Sequence, residues 1–85
     1  NVEQQEKIKI LSRLLSNYND GRRKNFFCLA VNLLELSELQ EAMRQVQSND
    51  ELSALPLKAQ GSYVTEVLQK IADRRNVNLK LNKKK

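Results

Sequence analysis

The strongest constraint on the fold is a nearly unbroken apolar run. Phe26, Phe27, Cys28, Leu29, Ala30, Val31, Leu33 and Leu34 follow one another with only Asn32 between them. Such a run is a buried helix or a buried strand, and periodicity alone does not separate the two. No breaker intervenes before Leu36, which makes the segment too long for an ordinary strand, so residues 22–35 read as a helix. The rival is a hairpin turning at Asp20-Gly21. It fails on its left arm, because Ile10 to Tyr18 does not alternate. As a helix, this segment is expected to be the central element, to supply most of the core and to be wrapped by the others.

Three further segments carry helical periodicity. In the first, near 3–17, Ile8, Leu11, Leu15 and Tyr18 recur at helical spacing, and Ile10 and Leu14 widen the apolar arc enough for two neighbours. Asn17, Asn19, Asp20 and Gly21 end it, by competing for backbone hydrogen bonds and by admitting positive φ. A helix near 38–48 is expected to start from a capping box of Ser37 and Gln40, with Leu39, Ala42, Met43 and Val46 as its buried stripe. Asp50 is placed to cap a short turn through Leu52, and Leu55-Pro56 biases the backbone away from α. The last helix spans 58–75, with Val64, Val67, Leu68, Ile71 and Ala72 on one face. Gly61 within it costs about 1 kcal/mol against alanine, so it marks a late start or a tight contact. After Asn76, Val77, Leu79 and Leu81 alternate with polar residues, as a short strand or an extended tail would. The expected architecture is all-α, a four-helix bundle over residues 1–82, with a flexible basic tail at 83–85.

Eighty-five residues make one domain, and a chain this short encloses only part of its apolar surface. The single cysteine, Cys28, excludes an internal disulfide, and a cytoplasmic setting is expected. With no histidine, a zinc site of Cys and His within one chain is excluded. No run approaches the roughly 20 apolar residues of a membrane span. The first residues, Asn1 to Lys7, do not resemble a signal peptide. The start at Asn1 rather than Met suits a fragment, a processed product or a chain with further residues before it.

Charge is unevenly spread. Residues 58–85 carry a net +6 and residues 1–57 a net −1. Lys70, Arg74 and Arg75 with Tyr63, then Lys80 and the terminal lysines, form a basic stretch that could meet phosphates or an acidic partner. The ordinary explanation is a wetted helix face: Glu66 and Lys70 suit an i,i+4 pair, and cations near a helix C-terminus suit the dipole. Arg22, Arg23 and Lys24 are harder to explain, because they stand at a helix N-terminus, where cations are disfavoured. An anion, an acidic partner, a later helix start, capping by Asp20 or the need for polar helix ends would account for them.

No catalytic signature is present. Cys28 has no histidine to activate it. Glu38 and Glu41 share a helix face expected to be solvated, together with nearby Glu35, which argues against acid–base or metal chemistry. Gly21 and Gly61 are isolated and make no phosphate loop. Two helices separated by about ten residues do not make a helix-turn-helix, whose turn is about 3–4 residues. The expected function is therefore a non-enzymatic protein-interaction or regulatory domain, without cofactor or metal, binding through Arg22, Arg23, Lys24, Tyr63, Lys70, Arg74, Arg75 and Lys80. One alternative is a nucleic-acid-binding module using the same cations. Another is a self-associating module that pairs through Val77, Leu79 and Leu81.

Overall fold

The computed structural model describes residues 2–19, 21–77 and 79. Within them the chain forms four α-helices, α1 (Val2–Tyr18), α2 (Lys24–Leu33), α3 (Leu36–Gln47) and α4 (Leu57–Asp73), with a 3-10 turn at Leu52–Ala54. The all-α bundle expected from periodicity is thus the observed fold, and no strand occurs among the described residues. Lys80, Leu81 and the basic tail lie outside them.

Contacts between the helices set their directions. Tyr18, at the end of α1, places its carbonyl against Gly61 near the start of α4. Arg23, just before α2, also reaches the first half of α4. Arg75, just beyond α4, meets the end of α2 at the Leu33 carbonyl and the first turn of α3 at Glu38. The helices therefore alternate in direction, up-down-up-down, as short connections favour. Helix α1 contacts all three others, α3 packs closely on α4, and α2 leans chiefly on α1.

The core differs from expectation in its centre. α4 buries Gly61, Val64, Val67, Leu68, Ile71 and Ala72, and α3 buries Leu39, Ala42, Met43 and Val46. α2 buries only Phe27, Ala30 and Val31 within its length. The most apolar run is therefore not the hub. Four helices in so short a chain can enclose only a few of their members on every side, and α2 keeps one outer face. Helix α1 fully buries Leu14, with Ile10, Leu11, Leu15 and Tyr18 packed at the margin, while Ile8 is left 52% exposed.

Local chemistry corrects two expected caps. The α3 capping box is not Ser37 with Gln40 but Glu35 with Glu38. The Glu35 N–H donates to Glu38 Oε1 at 2.7 Å. The chain leaves α2 in extended geometry at Leu34 and Glu35, so α3 begins earlier and Ser37 falls inside it. Asn49, rather than Asp50, organises the 3-10 turn: its Oδ1 accepts the Glu51 N–H at 3.1 Å. At the α1–α2 corner, Asn19 Oδ1 accepts the N–H groups of Gly21 and Arg23 at 3.0 and 3.3 Å. Gly21 takes the positive φ of 97° that this turn requires.

The end of α4 is a Schellman turn. Asn76 adopts φ 59°, its N–H donates to the Asp73 carbonyl at 3.2 Å, and the Val77 N–H donates to the Ala72 carbonyl at 3.0 Å. This turn sends the chain back over the bundle. Val77 packs against the core and Leu79 is fully buried in it. Their alternation thus serves one covered face.

Candidate functional site

The cations picked out in the sequence fall at two ends of the α2–α4 pair. At the first end, Arg23 lays its guanidinium along α4. It donates to Thr65 Oγ1 at 3.1 Å, Ser62 Oγ at 3.1 Å and the Lys58 carbonyl at 3.5 Å. Gly61 makes room for it: a Cβ there would meet Arg23 Nε, and would lie 2.8 Å from Arg23 Cδ and 2.9 Å from the Tyr18 carbonyl oxygen. Gly61 thus marks a tight contact rather than a late helix start. Arg22 and Lys24, on either side of Arg23, are both exposed.

At the second end, Arg75 grips Glu38 through Nε at 2.7 Å and a terminal nitrogen at 2.8 Å, and also reaches the Leu33 carbonyl at 3.4 Å. The Glu38 side chain keeps only 16% exposure. Arg74 pairs with Glu41 at 2.8 Å. These hydrogen bonds from Arg75 and Arg74 hold the Glu38 and Glu41 carboxyls below the usual carboxylate range. The pairing also favours the charged form of both arginines.

The two basic clusters do not converge. From Thr65 to Arg74 the axis of α4 runs about 14 Å, and the arginines at each end are engaged with neighbouring helices. Lys70 is exposed, while Tyr63 is half-buried and packed on the core. Lys80 lies outside the described residues. Three of the arginines proposed for a partner, Arg23, Arg74 and Arg75, thus fasten helices to one another. Of the proposed pairing segment, Val77 and Leu79 direct their apolar surface into their own core.

A different surface emerges on α2. Phe26, Leu29 and Leu33 stand at i, i+3 and i+7, on one side of the helix. Phe26 and Leu29 are half-buried, and Leu33 is 44% exposed. Phe26 is held by an edge contact with Phe27, with ring centres 6.1 Å apart. Sequence reading assigned this whole run to the core. The signal that separates the faces is Asn25 and Asn32, seven residues apart and both exposed, which mark the outer side of the helix. Two open grooves are also present, with volumes of about 440 and 310 Å³. The larger lies between α1 and α3, with Ile10 and Met43 flanked by Arg13 and Arg44.

Among the described residues, no three of His, Cys, Asp and Glu gather as metal ligands. No described helix is long and apolar enough to cross a membrane. Compared with known proteins, the chain matches no family model, no curated protein and no solved structure.

Proposed function

We propose that this domain is a non-enzymatic protein-interaction module whose docking surface is the exposed apolar edge of α2. One observation carries the reading: beside the buried Phe27, Ala30 and Val31, α2 leaves a second apolar edge of Phe26, Leu29 and Leu33 incompletely covered, with Leu33 still 44% exposed. An amphipathic helix ordinarily buries its apolar arc and leaves only its polar side to water, here Asn25 and Asn32. Here a partner would complete the enclosure, and covering what remains exposed of each leucine would contribute about 1 kcal/mol or less.

The competing reading, a nucleic-acid-binding module, needs several cations free to neutralise phosphates. With Arg74 and Arg75 held by Glu41 and Glu38, that role would pass to the exposed lysines Lys24, Lys58 and Lys70.

Titration with the apolar fluorophore ANS tests the docking surface. The native chain is expected to enhance its emission, and Leu29→Ser with Leu33→Ser to remove that enhancement. Far-UV circular dichroism should keep its helical form; the exposed Leu33 costs within about 0.5 kcal/mol, and the half-buried Leu29 somewhat more. Emission that persists in the variant would overturn the reading. So would retention of generic DNA that falls steeply with salt and disappears in Lys58→Glu/Lys70→Glu.

A further inference from the structure

We infer that the groove between α1 and α3 takes an acidic amphipathic helix from a partner protein, seated on Ile10 and Met43 with its carboxylates on Arg13 and Arg44. This groove shares no residue with the apolar edge of α2 and stands independently of it.

The arginines divide by what holds them. Arg23 bonds to α4, Arg74 is paired with Glu41, and Arg75 with Glu38. Arg13 and Arg44 make no ion pair and no side-chain hydrogen bond among the described residues. Glu41 feels the charge of Arg44, but Arg74 already holds that carboxylate. Both unpaired arginines are exposed, stand on different helices and border the same groove. One such arginine on a surface means little. Two of them beside an apolar floor give a concave surface a positive potential with no carboxylate of its own to absorb it.

Helix periodicity puts them there. On α1, Glu6, Ile10 and Arg13 stand at i, i+4 and i+7, along one edge of the helix. On α3, Gln40, Met43 and Gln47 keep the same kind of spacing, with Arg44 one residue beyond Met43 on the outer margin. Because α1 and α3 run in the same direction, the two ends of the groove differ. Glu6 stands at one end and is already paired with Lys9 at 3.4 Å. Arg13 and Arg44 stand toward the other. Between the ends Ile10 is half-buried and Met43 keeps 7% exposure. The unbranched thioether of methionine adapts its shape to whatever is laid on it.

The shape of the groove selects a helix over a small molecule. Its volume is about 440 Å³, but it is open and floored by only two apolar side chains. Small-molecule sites bury most of the surface of their ligand, which this trough does not. Each wall, from Glu6 to Arg13 and from Gln40 to Gln47, runs about 10 Å, or about two helical turns. A helix laid between the walls covers Ile10 and Met43 with apolar residues at i and i+3 or i+4. A carboxylate about one turn farther along then reaches the arginines. The same two charges reject a basic helix.

A library of stapled helical peptides of about 15 residues tests this on the full chain. Each peptide carries leucines at i and i+4, with the flanking positions randomised over Glu, Gln and Lys. Peptides selected by the immobilised chain are expected to carry Glu beside the leucines. They should bind Arg13→Glu/Arg44→Glu at least about tenfold more weakly. That variant should keep its helix content, because both positions are exposed. Leu29→Ser/Leu33→Ser should bind the selected peptides as the wild type does. Selection of Lys, the absence of any charge preference, or the absence of any binder overturns the inference. So do acidic binders whose affinity is unchanged in the arginine variant. Acidic binders lost instead in Leu29→Ser/Leu33→Ser belong to the α2 edge, which upholds the docking reading and overturns this one. Duplex DNA that the wild type retains and the arginine variant loses also overturns it, by assigning the two arginines to phosphates.

Discussion

Helices α2 and α4 are both rich in apolar side chains, yet they do different work. In α4 the apolar residues keep to one stripe, from Val64 to Ala72, and all five are buried. In α2 they cover a much wider arc, interrupted only on the side of the exposed Asn25 and Asn32, and only Phe27, Ala30 and Val31 of its ten residues are enclosed. The narrower pattern makes the larger contribution to the core. What counts is not how apolar a helix is but whether neighbours meet its apolar positions, and α4 receives α3 closely along its length. Helix α2 has α1 beside it and is fastened to α4 by an arginine at each end.

The contrast can be broken most severely at Phe27, the largest of the fully buried side chains. Phe27→Ala should cost about 3–5 kcal/mol, enough to unfold much of a domain this small, as read by urea denaturation. A loss below about 1 kcal/mol would mean that α2 is dispensable even on its inner face. Gly61→Ala comes next. Alanine in a helix interior normally gains about 1 kcal/mol over glycine, but here its Cβ meets Arg23 and the fixed Tyr18 carbonyl. The expected outcome is a net loss of about 1–3 kcal/mol by overpacking, seen as a lower Tm, whereas a gain would show that the arginine contact is slack.

The smallest effect is electrostatic and sharpens the role of the second fastening. The Glu38 and Glu41 carboxyls are held below their ordinary value of 4.5 by hydrogen bonds from Arg75 and Arg74. A carboxylate whose folded pKa is depressed adds stability that is present above the unfolded value and is lost as pH falls through the folded one. The Tm should therefore decline once pH drops below that ordinary value. Glu38→Gln should start from a lower Tm at neutral pH and show a shallower acid decline, because its partner's pairing no longer titrates. An identical acid profile in wild type and Glu38→Gln would show that the Arg75 pair contributes nothing to folding.

Much of this was readable in the chain beforehand. The four helices lie within two residues of their expected ends, and the stripes of α3 and α4 are the ones their spacing indicated. The caps were harder. Ser37 offered a sound capping pattern, but Glu35 and Glu38 took the role because the α2–α3 corner is only two residues long. The arginines were harder still, since nothing local distinguishes Arg23, which bonds across 39 and 42 residues of chain, from the exposed Arg22 beside it.

The sequence by itself determined the helices, their inward stripes and the polar breaks between them, because helix periodicity, capping and glycine geometry act over a few residues. Only the tertiary structure decided which apolar helix is enclosed and which cations are committed to the fold. Burial and ion pairing depend on which surfaces meet in space, and residues such as Glu38 and Arg75, 37 positions apart, become neighbours only after the bundle has closed.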